Sequence, residues 1–304
     1  MKSLAAFIMR GRSSAALVAA VAALLFWLFP PFLIVSGAVV ALVTLRRGPA
    51  EGARVVALAG LGAAVPSGLA LGAPWPMLEV LLVCWIPLVL LTLVLRSTVS
   101  LSRTLQVAAL LGLLGVAGFY LALGDPAIWW GGVLARWRGE LSALAPGQGT
   151  DRATLEALLD LLDGWAPLLP GQAVSAMLLF VLLALFLGRW WQALLFNPGG
   201  FRPEFHELRL GRPLALLALG LFGAAALSGW SPLTNLALVL GTLYTVQGVA
   251  LIHAVTFKLH GSPAWLLLFY LLLVPLLSQW VMVLGVADAW ADFRTRIRLR
   301  PNPP

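Results

Sequence analysis

Apolar residues fill nine runs, at about 15–29, 31–45, 55–72, 77–95, 104–123, 166–188, 213–229, 233–257 and 263–287, and short connections between them hold nearly all the charge. Uninterrupted runs of roughly 17 to 25 residues, without a strict polar/apolar alternation, predict membrane-crossing helices rather than the strands of a barrel. A helix pairs its own backbone groups, which lipid cannot do for it. The expected fold class is therefore all-α, a polytopic helical membrane bundle. Between the first two runs stand only Phe29, Pro30 and Pro31. Pro31 has no backbone donor and pushes Pro30 out of the helical region, so a tight hairpin of two short, tilted helices is expected there.

Two connections carry patterns of their own. In "DRATLEALLDLLDGW" Leu155, Leu158, Leu159 and Leu162 recur at helical spacing opposite Glu156, Asp160 and Asp163, with Gly164 as the expected stop. "WWGGVLARWRGELSAL" repeats the arrangement with Leu134, Trp137, Leu141 and Leu144, which predicts two amphipathic helices on the membrane surface with Trp129, Trp130 and Trp165 at headgroup level. In "NPGGFRPEFHELRLGRP" (197–213) Phe201, Phe205 and Leu208 fall at i, i+4 and i+7. That spacing predicts an interfacial helix, entered through the Asn197–Gly200 break and left at Gly211 and Pro213. The chain divides as one integral membrane domain, 1–304: N-terminal helices 1–123, an outer amphipathic connection 124–165, C-terminal helices 166–287 and a basic tail 288–304.

Composition and charge fit this plan. Hydrophobic residues make up 61% of the 304, charged ones 11%, and the mean hydropathy is +0.96. The formal charge of +8 lies in clusters between apolar runs, the positive-inside pattern of membrane topology, and excludes nucleic acid as a natural partner. Lys2, Arg10 and Arg12 precede an apolar stretch that continues to Leu45, too long for a cleaved signal, so an uncleaved anchor is expected. With the N-terminus inside, Arg46, Arg47, Arg54, Arg96, Arg103, Arg189, Arg202, Arg209 and Arg212 all fall inside, and the acid-rich connection 124–165 falls outside. Nine full crossings would leave Arg294, Arg296, Arg298 and Arg300 outside. Eight crossings, with 213–229 short or re-entrant, bring that tail in and send Lys258 out, which is the better charge count.

Ionisable and polar groups inside apolar runs are the candidates for chemistry, because they are costly there unless paired. Glu79 stands near the outer end of its run. Run 233–257 is the most polar, and its Tyr244, Gln247 and His253, with Gln279 of the last run, are candidate ligand-binding residues, although His253 points about 120° away from Gln247 on a helix. Interhelical hydrogen bonding is the alternative use of these groups. The histidines His206, His253 and His260 form no metal-ligand spacing, Cys84 is alone, and no nucleophile elbow or phosphate loop is present. No cofactor or metal is expected, and an enzymatic function has no support in the sequence. Ala15, Ala19 and Ala23 make a small-residue stripe suited to close helix packing or to docking a partner, and Glu204, Glu207 and Arg209 form a candidate partner surface on the inner face.

The stretches "FPPFLIVSGAVVALVTLRRGPAEG" (29–52), "NPGGFRPEFHELRLGRPLA" (197–215), "QGVALIHAV" (247–255) and "LGVADAWADFRTR" (284–296) together resemble the YybS-like family of predicted bacterial membrane proteins, whose function is not established. The resemblance implies the bacterial cytoplasmic membrane. In plan, the N-terminal half is also similar to substrate-binding subunits of energy-coupling-factor transporters, in which an Ala-x-x-x-Ala stripe docks the transport scaffold; Ala15, Ala19 and Ala23 match that stripe. The expectation that follows is a membrane protein that binds or moves a small molecule. The alternative is an assembly factor that recruits a protein through its cytoplasmic face.

Overall fold

A computed structural model of the chain describes residues 1–144 and 150–297; Arg298, Arg300 and Pro304 of the tail lie outside them. Every described element is helical: α1 (Lys2–Ile8), α2 (Arg12–Leu24), α3 (Phe32–Arg47), α4 (Pro49–Leu71), α5 (Trp75–Thr98), α6 (Leu101–Leu123), α7 (Pro126–Leu144), α8 (Thr150–Trp165), α9 (Leu169–Phe196), α10 (Phe201–His206), α11 (Arg212–Ser228), α12 (Ser231–Lys258), α13 (Pro263–Leu272), α14 (Ser278–Ala291) and α15 (Phe293–Arg296). A π-helical segment, Leu273–Leu277, joins α13 to α14. The chain is a polytopic all-α bundle. Among the described residues, six helical stretches are long and apolar enough to cross a membrane. These six, with the shorter α2, α3 and α11, account for all nine apolar runs.

The chain forms two compact units, 1–108 with 177–212 and 242–304, and 109–176 with 213–241. Helices α6, α9 and α12 contribute residues to both. In the first unit α3 is the centre, with every residue from Ser36 to Leu45 buried. At 16 residues it is about 24 Å long, short for a crossing, as the proline-bounded hairpin predicts. Its neighbours come close because small residues face it: a Cβ on Gly188 of α9 would stand 2.8 Å from the Ala38 carbonyl oxygen. Ala15, Ala19 and Ala23 of α2 are fully buried, in a helix that packs on α3 and α4. Ser36 ties the hairpin by donating to the Ala19 carbonyl at 2.8 Å. The alanine stripe is thus spent on packing within the chain.

At one end of this unit polar groups tie the helix termini. Arg12 holds both oxygens of Glu51, at 2.6 and 2.7 Å, Arg47 donates to the Met9 carbonyl, and Arg96 donates to the carbonyls of Thr44 and Leu45 at the end of α3. Arginine at a helix C-terminus satisfies carbonyls that have no intrahelical donor.

In the second unit the connection 124–165 forms two helices, α7 and α8, as its periodicity predicts. Arg138 of α7 bridges Asp160 and Asp163 of α8 at 2.8 and 3.0 Å, while Leu134 and Leu159 are buried. Gly164 does not end α8, contrary to expectation. The helix runs on through a 3-10 turn, Ala166–Leu168, into α9, since a helical glycine costs only about 1 kcal/mol against alanine. The fully buried Asn235 of α12 donates to the Tyr120 hydroxyl (2.7 Å) and the Pro167 carbonyl (2.8 Å), and accepts from the Gly171 amide (2.9 Å).

Candidate ligand cleft at the end of α12

The connection after α9 packs back onto the bundle. Asn197–Gly200 turns the chain, with Gly199 at φ 86°, and α10 folds back along α9. Glu204 accepts from Arg189 through both carboxylate oxygens, and the rings of Phe201 and Phe205 stack at 5.7 Å and meet Phe186. The expected helix ends early, at His206. Residues 208–211 then run without helical structure into the core, where Leu208 and Leu210 are buried.

A non-helical backbone is tolerated at such depth only if protein groups satisfy it. Here side chains do so: the Arg209 amide donates to Ser102 Oγ (2.9 Å), the Leu210 amide to Gln247 Oε1 (2.7 Å), Gln106 to the Leu210 carbonyl (3.0 Å) and the Tyr244 hydroxyl to the Gly211 carbonyl (3.1 Å). Gln247 also donates to the Gly285 carbonyl at 2.8 Å and lies 3.4 Å from Asp288 Oδ2. Two of the residues expected to bind ligand, Tyr244 and Gln247, are therefore fully buried and occupied by this segment.

Beyond Gln247 lies a buried ion pair. Asp288 is 1% exposed and Arg294 5%, with Arg294 Nη1 3.0 Å from Asp288 Oδ2. The Phe293 amide donates to Asp288 Oδ1 at 3.2 Å. Nε, Nη1 and Nη2 of Arg294 make no hydrogen bond among the described residues. Burial pulls the Arg294 pKa down, and Asp288 opposes the shift.

Two adjoining cavities open around the α10 segment and the last turns of α12. One, of about 540 Å³, is aromatic, walled by Phe186, Trp190, Phe201, Phe205, His253 and Tyr270. Its His253 Nε2 is 2.7 Å from the Tyr270 hydroxyl. The other, of about 830 Å³, is basic, lined by Arg202, Arg209, Lys258 and Arg294 with Glu207. Gly199, Arg202 and His206 belong to both. Burial, followed by the charges of His253, Arg202 and Arg294, lowers the His206 pKa to about 4, so its imidazole is neutral at pH 7. Arg209 pairs with Asp292 at 2.6 Å. Lys258 donates to the carbonyls of Arg294 (2.5 Å) and Ile297 (3.3 Å).

The eight-crossing count places Lys258 and the tail on opposite faces, yet Lys258 meets Arg294 and Ile297 directly. The charge count already allows 213–229 to be re-entrant, but it carries no information about contacts between the residues that flank the run 263–287.

Of the other expected site residues, Glu79 on α5 and Gln279 on α14 are exposed, and neither lines the two cavities. Only His253 of the expected ligand residues borders the aromatic cavity. Glu204 and Arg209 are engaged in ion pairs, while Glu207 is exposed at the basic cavity. Among the described residues, no group of three or more His, Cys, Asp or Glu is placed to hold a metal. The sequence reading missed Arg202, Lys258, Tyr270 and the Asp288–Arg294 pair as site residues. A signal was present for the pair: an acid on the face of an apolar helix, followed within two turns by arginine.

Residues 150–289, which include most of both cavities' walls, match a family model. It is that of a predicted membrane protein family, DUF2232. The match agrees with the resemblance to YybS-like membrane proteins. No curated protein and no solved structure matches the chain.

Proposed function

We propose that this protein binds an amphipathic small molecule at the end of α12, in the bacterial cytoplasmic membrane, and that binding rather than catalysis is its role. The observation that carries this reading is the adjoining pair of cavities, one aromatic and one basic, with Arg202 and His206 in the wall between them. An apolar cleft with a few convergent polar groups is the usual form of a small-molecule site. Here the polarity changes from one end of the site to the other, which suits a molecule with an apolar body and a charged head.

The alternative, a cytoplasmic face that recruits a protein, has less chemistry left for it. Glu204 and Arg209 of the candidate surface spend their charge on Arg189 and Asp292.

The test is thermal denaturation of the purified chain in detergent against a panel of anionic and neutral amphiphiles. A binder raises the midpoint as its concentration passes the dissociation constant. Phe205→Ala, which opens the aromatic wall, should weaken that stabilisation. If no amphiphile shifts the midpoint, or the variant responds as the wild type does, the cleft is not the binding site.

A further inference from the structure

We propose that the basic cavity binds a phosphate group, which Arg294 grips bidentately and whose charge Arg202 and Lys258 neutralise. This rests on the binding reading above and names the headgroup chemistry. Arg294 is the decisive residue. A guanidinium carries five N–H donors in a planar fork, and burying it is costly unless those donors are used. Asp288 faces Nη1 as an ion partner, but the nitrogens make no hydrogen bond among the described residues, and the side chain lines the cavity. An oxyanion there would supply what burial has removed.

The charge balance selects the class. Arg209 and Arg294 are matched by Asp292 and Asp288. Arg202 lies over the Phe257 ring at 4.9 Å, and among the described residues Lys258 bonds backbone carbonyls only. Against these two cations stands Glu207, exposed at the cavity, so a positive surplus remains. A phosphate matches the site better than a carboxylate does. Two of its oxygens fit the fork of Arg294, and further oxygens stay free for Arg202 and Lys258.

The site is held in shape from behind. Gln247 links the buried 208–211 segment to Asp288, and Asp288 also accepts the Phe293 amide, so the carboxylate opposite Arg294 is fixed.

The headgroup of a lipid and a free phosphate share this chemistry, and the experiment separates them. The full-length chain in detergent is titrated with inorganic phosphate, with acetate at equal ionic strength, and with mixed micelles containing phosphatidate or phosphatidylcholine, following the thermal midpoint. Stabilisation by inorganic phosphate assigns a soluble source, and stabilisation by phosphatidate alone assigns a lipid source; either supports the proposal. Arg294→Gln is expected to weaken binding about 10- to 100-fold, the loss of a charge-assisted pair. Because that variant also strands Asp288, Arg202→Gln serves as the second, with an expected loss of several-fold and an intact fold. Equal stabilisation by acetate, no stabilisation by either phosphate source, or an unchanged response in Arg202→Gln overturns the proposal. If uncharged amphiphiles still stabilise the wild type and Phe205→Ala weakens them, the binding reading survives and only the phosphate assignment falls.

Discussion

Gln247 and His206 show how single polar residues are used in so apolar a chain. Gln247 is 0% exposed and serves an amide on one side and a carbonyl on the other. Gln247→Leu keeps similar bulk but leaves both groups unpaired in the interior. Each such loss costs about 1–3 kcal/mol, so the unfolding midpoint should fall clearly, and a midpoint equal to wild type would show that the 208–211 segment has other support. His206 carries a pH dependence. Its pKa falls from 6.5 to about 4 through burial and the nearby His253, Arg202 and Arg294, with Lys258, Arg209 and Glu207 around the same cavity. The folded state therefore prefers the neutral ring, while the unfolded chain takes up a proton near 6.5. Stability from this group is fully present above that value and is lost as pH falls toward about 4. Measured between those limits, His206→Leu should show a shallower loss of midpoint with falling pH than wild type. Identical slopes would remove His206 as the cause.

Glycines on the helices separate tight from open contacts. A Cβ at Gly285 of α14 would meet the Tyr244 carbonyl oxygen at 2.1 Å and the Gly248 nitrogen at 3.0 Å, whereas one at Gly220 of α11 would meet nothing within 4 Å. Gly285→Ala must push α14 off α12 and should cost about 1–3 kcal/mol. Gly220→Ala should instead stabilise α11 by about 0.5–1 kcal/mol, the helix-propensity difference. Midpoints moving the same way in both variants would contradict this contrast. Elements were well legible in the sequence because apolar runs at this length leave few alternatives to a helix, and each of the nine runs is helical. The connection 197–213 was legible in part. Its Phe201 and Phe205 do share one apolar face, but the periodicity that extended to Leu208 carried no information about Ser102 and Gln106, about a hundred residues away, whose hydrogen bonds make an extended segment affordable inside the protein. The polarity of Tyr244 and Gln247 was visible, and its purpose was not, because a helix reads the same whether its polar face meets a ligand or another part of the chain.

For the whole molecule, contacts among the connections around the basic cavity add to what charge counting gives. Arg209 and Lys258 line one cavity, so the chain that leaves through α11 comes back through α12. Residues that flank the following apolar segment both lie by the last turn of α12: the Gly261 amide donates to the Thr256 carbonyl, and Lys258 reaches Arg294 and Ile297. If residues 189–212 face the cytoplasm, as their arginines require, then Ser262, Arg294 and Ile297 are expected to face it too. The measurement has two arms in intact cells. Ser262→Cys is introduced with Cys84→Ala and probed with a membrane-impermeant thiol reagent, and a periplasm-dependent reporter is fused after Pro304. Both positions should report the cytoplasmic side, with Ser262→Cys labelled only after permeabilisation. A labelled Ser262→Cys with a silent reporter would restore the eight-crossing arrangement. It would also separate Lys258 from Arg294 and dissolve the basic cavity, so the topology experiment bears directly on the site.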